Sequence, residues 1–130
     1  PQGPGIGSAW NDDGLSTVVA KNITIKNAKV TAVAGTTSSL GGAGIGGGDY
    51  GAGGIVTING GSITATGGYC GAGIGGGFHG AGGNITISGG GAIMFANNMH
   101  QAAPTISVTN NQHVHFANCY VRSTGGIVSA

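Results

Sequence analysis

His113 and His115 flank Val114, so in an extended strand both imidazoles leave one face about 7 Å apart, the beginning of a metal site. A zinc centre needs three or four protein ligands, and no spacing here supplies a third, although His79 and His100 remain in the chain. The pair therefore reads as exposed polar residues, and no metal is expected. Cys70 and Cys119 lie 49 residues apart, which matches no metal motif and leaves both a disulfide and two free thiols open. The carboxylates are Asp12, Asp13 and Asp49, with no glutamate. Glycoside hydrolysis needs two carboxyl groups across one bond. Asp12 and Asp13 are adjacent, so a strand would point them to opposite faces and a turn would solvate them. Asp49 sits in a separate loop. No Ser/His/Asp or Cys/His set has supporting local context, so the chain is expected not to be an enzyme and to need no cofactor.

Binding chemistry has more candidates. Gly42-x-Gly44-x-x-Gly47 and Gly71-x-Gly73-x-x-Gly76 have dinucleotide-binding spacing, but more glycine and a strand follow where a helix N-terminus should meet the pyrophosphate. Calcium-binding nonapeptide repeats need an aspartate in each turn, and the counterpart of Asp49 one repeat on is Phe78. Sugar rings stack on aromatic faces, and Trp10, Tyr50, Tyr69 and Phe78 are the candidate glycan-binding residues, with Tyr50 and Phe78 in equivalent loops after a triple glycine. Asn22-Ile23-Thr24 and Asn84-Ile85-Thr86 are sequons, which makes Asn22 and Asn84 candidate glycosylation sites. Thr24, Thr57, Thr86 and Ser107 recur at one position of a strand pattern, a hydroxyl row that suits a half-exposed strand and could also order water or touch a polysaccharide.

The elements that must position these residues follow from the composition. Glycine supplies 31 of 130 residues and charged residues only 5%. Each glycine costs a helix roughly 1 kcal/mol relative to alanine, so a helical core is ruled out. Collagen is ruled out because glycine lacks the three-residue period, and disorder because 39% of the chain is hydrophobic. The net charge of +1 gives no reason to expect nucleic acid or an anionic membrane as partner. No apolar run approaches the ~20 residues of a membrane span.

An internal repeat organises the chain. Gly42-Ala43-Gly44-Ile45-Gly46-Gly47-Gly48 recurs 29 residues later as Gly71-Ala72-Gly73-Ile74-Gly75-Gly76-Gly77, and Gly5-Ile6-Gly7-Ser8 is a partial copy. Short apolar/polar alternations follow, and aligning them yields columns: Ile25, Ile58, Ile87 and Val108; Val30, Ile63, Ile93 and Val114; Ala32, Ala65, Phe95 and Phe116. The closing run Gly125-Gly126-Ile127-Val128-Ser129-Ala130 echoes Gly53-Gly54-Ile55-Val56-Thr57-Ile58. Strands this short cannot bury a face singly, but stacked in parallel at ~4.8 Å they align like side chains into interior ladders. The prediction is one domain over residues 1–130, an all-β, right-handed parallel β-solenoid (β-helix) of about four to five rungs with glycine-rich corner loops. The loops carrying Ile45 and Ile74 are read as insertions at corners. Both ends read as mid-rung, which predicts flanking rungs of a longer chain or end-to-end self-association into a filament.

The run Gly-Ala-Gly-Ile-Gly-Gly-Gly, followed by Ile-Thr-Ile-x-Gly-Gly and Ile-Thr-Ala-x-Gly-Gly, resembles the glycine-rich repeats of large microbial surface proteins, many of them labelled as carbohydrate-binding-domain-containing. Residues 41–90 carry the resemblance best. Gly90-Gly91-Ala92-Ile93 and Phe95-Ala96-Asn97-Asn98 also resemble repeats of chlamydial polymorphic outer-membrane autotransporters. The resemblance implies an extracellular, non-catalytic structural or adhesive solenoid at a cell surface. A carbohydrate-binding module is the alternative, with ice-binding and polysaccharide-degrading β-helices further behind.

Overall fold

The computed structural model describes residues 4–8, 21–35, 41–98, 105–108, 113–119, 122–123 and 128–129. Ten strands run through them in chain order: β1 (Ile6–Gly7), β2 (Asn22–Val33), β3 (Ile45–Gly46), β4 (Ile55–Thr66), β5 (Ile74–Gly75), β6 (Asn84–Asn98), β7 (Thr105–Val108), β8 (His113–Cys119), β9 (Arg122–Ser123) and β10 (Val128–Ser129). Every pairing between them is parallel. One sheet has the order β1-β3-β5. The other runs β10-β8-β6-β4-β2, with β7 on β6 and β9 on β7. The chain is a β-solenoid.

Its long strands bend in the middle. Asn27, Gly60 and Gly89 take φ of 47°, 75° and 78° at equivalent positions, a left-handed conformation that glycine and asparagine tolerate best. The bend divides each strand into two sides of the coil. The first side carries Ile25, Ile58, Ile87 and Val108 in register, with Thr24, Thr57, Thr86 and Ser107 beside them. The second carries Val30, Ile63, Ile93 and Val114, then Ala32, Ala65, Phe95 and Phe116. The aligned columns are therefore real ladders. Ile58, Ile63, Val56, Ile85 and Ile87 are fully buried, while Ile23 and Val30 on β2 are only half-buried.

The third side corrects the expectation of a corner loop. Ile45 pairs with Ile6 below and Ile74 above, and both Ile45 and Ile74 are wholly buried in the same core as the long strands. The glycine run is thus a wall of the coil. Gly46 and Gly75 have φ of 134° and 141°, and a Cβ on Gly46 would collide with the Gly75 carbonyl oxygen of the next coil. Only glycine lets the backbones stack this closely.

The far coils are shorter. Ile23, Val56, Ile85, Ile106 and Ser123 occupy one column, so the repeat length falls from 33 to 29, 21 and 17 residues. The continuous strand of the earlier coils is split there, with β7 on the first half of β6 and β8 on the second. The closing echo misleads for this reason. Val128 pairs with Val114 on the second side, while Arg122 and Ser123 take the first-side places on Thr105 and Ile106. Arg122–Ser123 directly follows β8 in the chain and takes the first-side place of the next coil, so Val128, further on, falls on the second side.

Candidate functional site

Three turns of one design frame the glycine wall. In Gly48-Asp49-Tyr50-Gly51, Gly68-Tyr69-Cys70-Gly71 and Gly77-Phe78-His79-Gly80, the last N–H donates to the first carbonyl at 2.7, 3.0 and 2.8 Å. The third residue is left-handed each time: Tyr50 (φ 57°), Cys70 (φ 55°) and His79 (φ 60°). A turn with positive φ at that position normally takes glycine, and an L side chain there costs roughly 1 kcal/mol. The conformation throws the side chains of successive coils together at one corner.

Tyr50, Phe78 and His79 form an aromatic cluster there. The Tyr50 and His79 rings are stacked at 5.2 Å and 25°, Phe78 and His79 are 3.9 Å apart, and Tyr50 meets Phe78 edge to face at 6.3 Å and 71°. Tyr50 and Phe78 are half-buried and His79 is exposed. Among the described candidates Tyr69, from the neighbouring turn, is the most open, at 54% exposure. Trp10 lies outside the described residues, as do Asp12, Asp13 and His100. Sequence reasoning singled out Tyr50 and Phe78 and passed over His79 as a ring partner. The signal was present, since His79 follows Tyr50 by the repeat length of 29.

Asp49 departs from its reading as an isolated loop residue. It is 0% exposed, the buried polar residue of its turn, so the carboxylate is not presented to solvent. Cys70 is a free, half-buried thiol. His113 and His115 pair with Ala92 and Met94 along β8. Among the described residues, no three His, Cys, Asp or Glu side chains converge on one point.

The first side of the coil presents the other candidate surface. Thr24 and Thr86 are exposed, and Thr57 and Ser107 half-buried, in one in-register hydroxyl ladder. Asn22 and Asn84 are both exposed and share a column, with Ile55 between them. At ~4.8 Å per coil the two sequon asparagines stand about 10 Å apart.

This stacked geometry agrees with what the sequence matches. The family model described as a beta helix repeat covers residues 23–49 and again 56–78. Over those two segments the chain is similar to a β-helix repeat. Each matched segment starts on the first side of a coil, passes the bend and ends in a glycine turn, at Asp49 and at Phe78. No curated protein and no solved structure matches the chain. Among the described residues, no helix is long and apolar enough to cross a membrane.

Proposed function

We propose that this β-solenoid is an extracellular structural and adhesive protein, non-catalytic, that stacks end to end or continues into flanking coils at a cell surface. The observation that carries the reading is the four-coil register of Thr24, Thr57, Thr86 and Ser107 outside the Ile25–Ile58–Ile87–Val108 column. Such a ladder makes a stiff rod with a repetitive polar face, which suits a scaffold. Buried Asp49 adds support, because a hydrolase needs carboxylates facing its substrate. β2 has β4 as its partner among the described strands, so its other edge can accept a further parallel strand. Sedimentation velocity of the purified chain over a wide concentration range tests the stacking. Species at integer multiples of the 12.3 kDa monomer are expected, and a monomer at every concentration removes self-stacking.

The second reading, a carbohydrate-binding module, draws on the exposure of Tyr69 beside the Tyr50–Phe78–His79 cluster. Aromatic rings with one open face are what sugar rings stack on. Here Tyr69, Tyr50 and Phe78 would form the platform. A glycan array read with wild type and Tyr69→Ala tests it, with loss of signal in the variant as the expected result.

A further inference from the structure

Three of the four formal cations of this chain lie close together, the fourth being Arg122 on β9. Lys21, Lys26 and Lys29, every lysine it contains, fall on β2 and the residue before it, and all three are exposed. No ion pair within the described residues engages them. Asp49, the carboxylate among those residues, is buried in its turn. Among the described residues the three lysines therefore form a local cationic strip.

The register shows what surrounds the strip. Lys26 stands in a column with Asn59 and Ser88, and Lys29 in a column with Ser62. The left-handed bend at Asn27 separates the two lysines, so they flank a convex ridge of the coil. Asn59 and Ser62 of the next coil are exposed, about 4.8 Å away, and carry amide and hydroxyl groups. Thr24 and Thr57 continue the hydrogen-bonding surface along the first side. From Lys21 to Lys26 the extended chain covers about 16 Å.

We infer that this strip, Lys21, Lys26 and Lys29 with Asn59 and Ser62 beside them, binds an acidic polysaccharide. Nucleic acid carries a charge every ~1.7 Å of duplex and is met by dense basic patches, which three separated lysines are not. A polymer less densely charged than duplex, with one carboxylate per sugar ring and many hydroxyl groups, fits better. Its carboxylates meet the ammonium groups, and its hydroxyls meet the amide and hydroxyl side chains of the next coil. The inference rests on the adhesive reading and supplies the chemistry of what is adhered to.

The experiment measures binding of the whole chain to polygalacturonate, dextran and double-stranded DNA, with wild type, the Lys26→Gln/Lys29→Gln pair and Tyr69→Ala. Thermal melts of the variants confirm that the exposed substitutions leave the fold intact. Polygalacturonate should be bound in preference to the other two, and raising NaCl from about 0.02 to 0.5 M should weaken it at least about tenfold through screening. The lysine pair should lose about tenfold, the effect of removing two exposed ion pairs, and Tyr69→Ala should change little. Equal retention of DNA, or polygalacturonate binding that ignores the lysine pair, overturns the inference. Dextran binding that depends on Tyr69 overturns it too, while leaving a carbohydrate-binding module standing. Binding to none of the polymers removes the inference and leaves the stacking scaffold untouched, because sedimentation tests that separately.

Discussion

The backbone N–H of Tyr50 donates to the Phe78 carbonyl at 2.7 Å, and the two rings meet edge to face with centroids 6.3 Å apart. One hydrogen bond and one ring contact thus tie consecutive turns together at the same corner. If both act as drawn, a double-mutant cycle of Tyr50→Ala and Phe78→Ala in urea unfolding should show a coupling of about 1 kcal/mol. A coupling of zero would mean that the rings do not meet in solution.

The glycine wall makes a graded prediction. Gly46→Ala places a Cβ on the Gly75 carbonyl oxygen at a φ of 134°. Gly75→Ala has the same backbone strain, at 141°, but its nearest neighbour is the Gly82 oxygen at 2.9 Å. Both should destabilise, Gly46→Ala by about 3 kcal/mol or more and Gly75→Ala by less. Unfolding midpoints in that order support a backbone-on-backbone wall, and tolerance of Gly46→Ala would count against it.

The interior ladder and its outer neighbour should behave oppositely. Ile58 is fully buried between Ile25 and Ile87, and Ile58→Ala should cost about 3–4 kcal/mol through lost burial and a residual cavity. Thr57, one residue away on the outward face, should lose less than about 1 kcal/mol as Thr57→Ala. Denaturant curves of the two variants, with equal m-values, check the inside-outside assignment.

Cys70 isolates the cost of the left-handed turn position, since it lies outside the aromatic cluster. Cys70→Gly should be neutral or stabilising by about 0.5 kcal/mol, because relief of strain slightly exceeds the added unfolded-state entropy. Cys70→Val puts a β-branched residue at positive φ and should cost about 2 kcal/mol. Differential scanning calorimetry of the pair settles the sign.

Asn22 and Asn84 are both accessible acceptors. Secretion from a eukaryotic host should add glycan mass at both, and Thr86→Ala should abolish the increment at Asn84 alone. Intact mass spectrometry reads this directly. An unmodified wild-type chain would reduce both sequons to ordinary strand residues.

Much of this fold is legible without coordinates. Period-two alternation marks strands, and their recurrence forces like residues into columns, because a short strand can bury its face only against copies of itself. Ile25 over Ile58 over Ile87, and Thr24 over Thr57 over Thr86, follow from that alone. Three features needed the tertiary structure. The Ile45 and Ile74 segments form a sheet, yet a lone isoleucine among glycines has no alternation to announce a strand, since backbone bonds to the neighbouring coils make it. Val128 joins the second side rather than the first because Arg122–Ser123, earlier in the chain, already fills the first-side place of that coil, an order that local similarity to Val56 does not reveal. Asp49 is buried, Tyr69 open and His79 stacked on Tyr50 because three left-handed turns aim side chains that repeat spacing only counts. Residue order determined which side chains share a column. Where the turns fold back on the glycine wall decided which of them meet solvent.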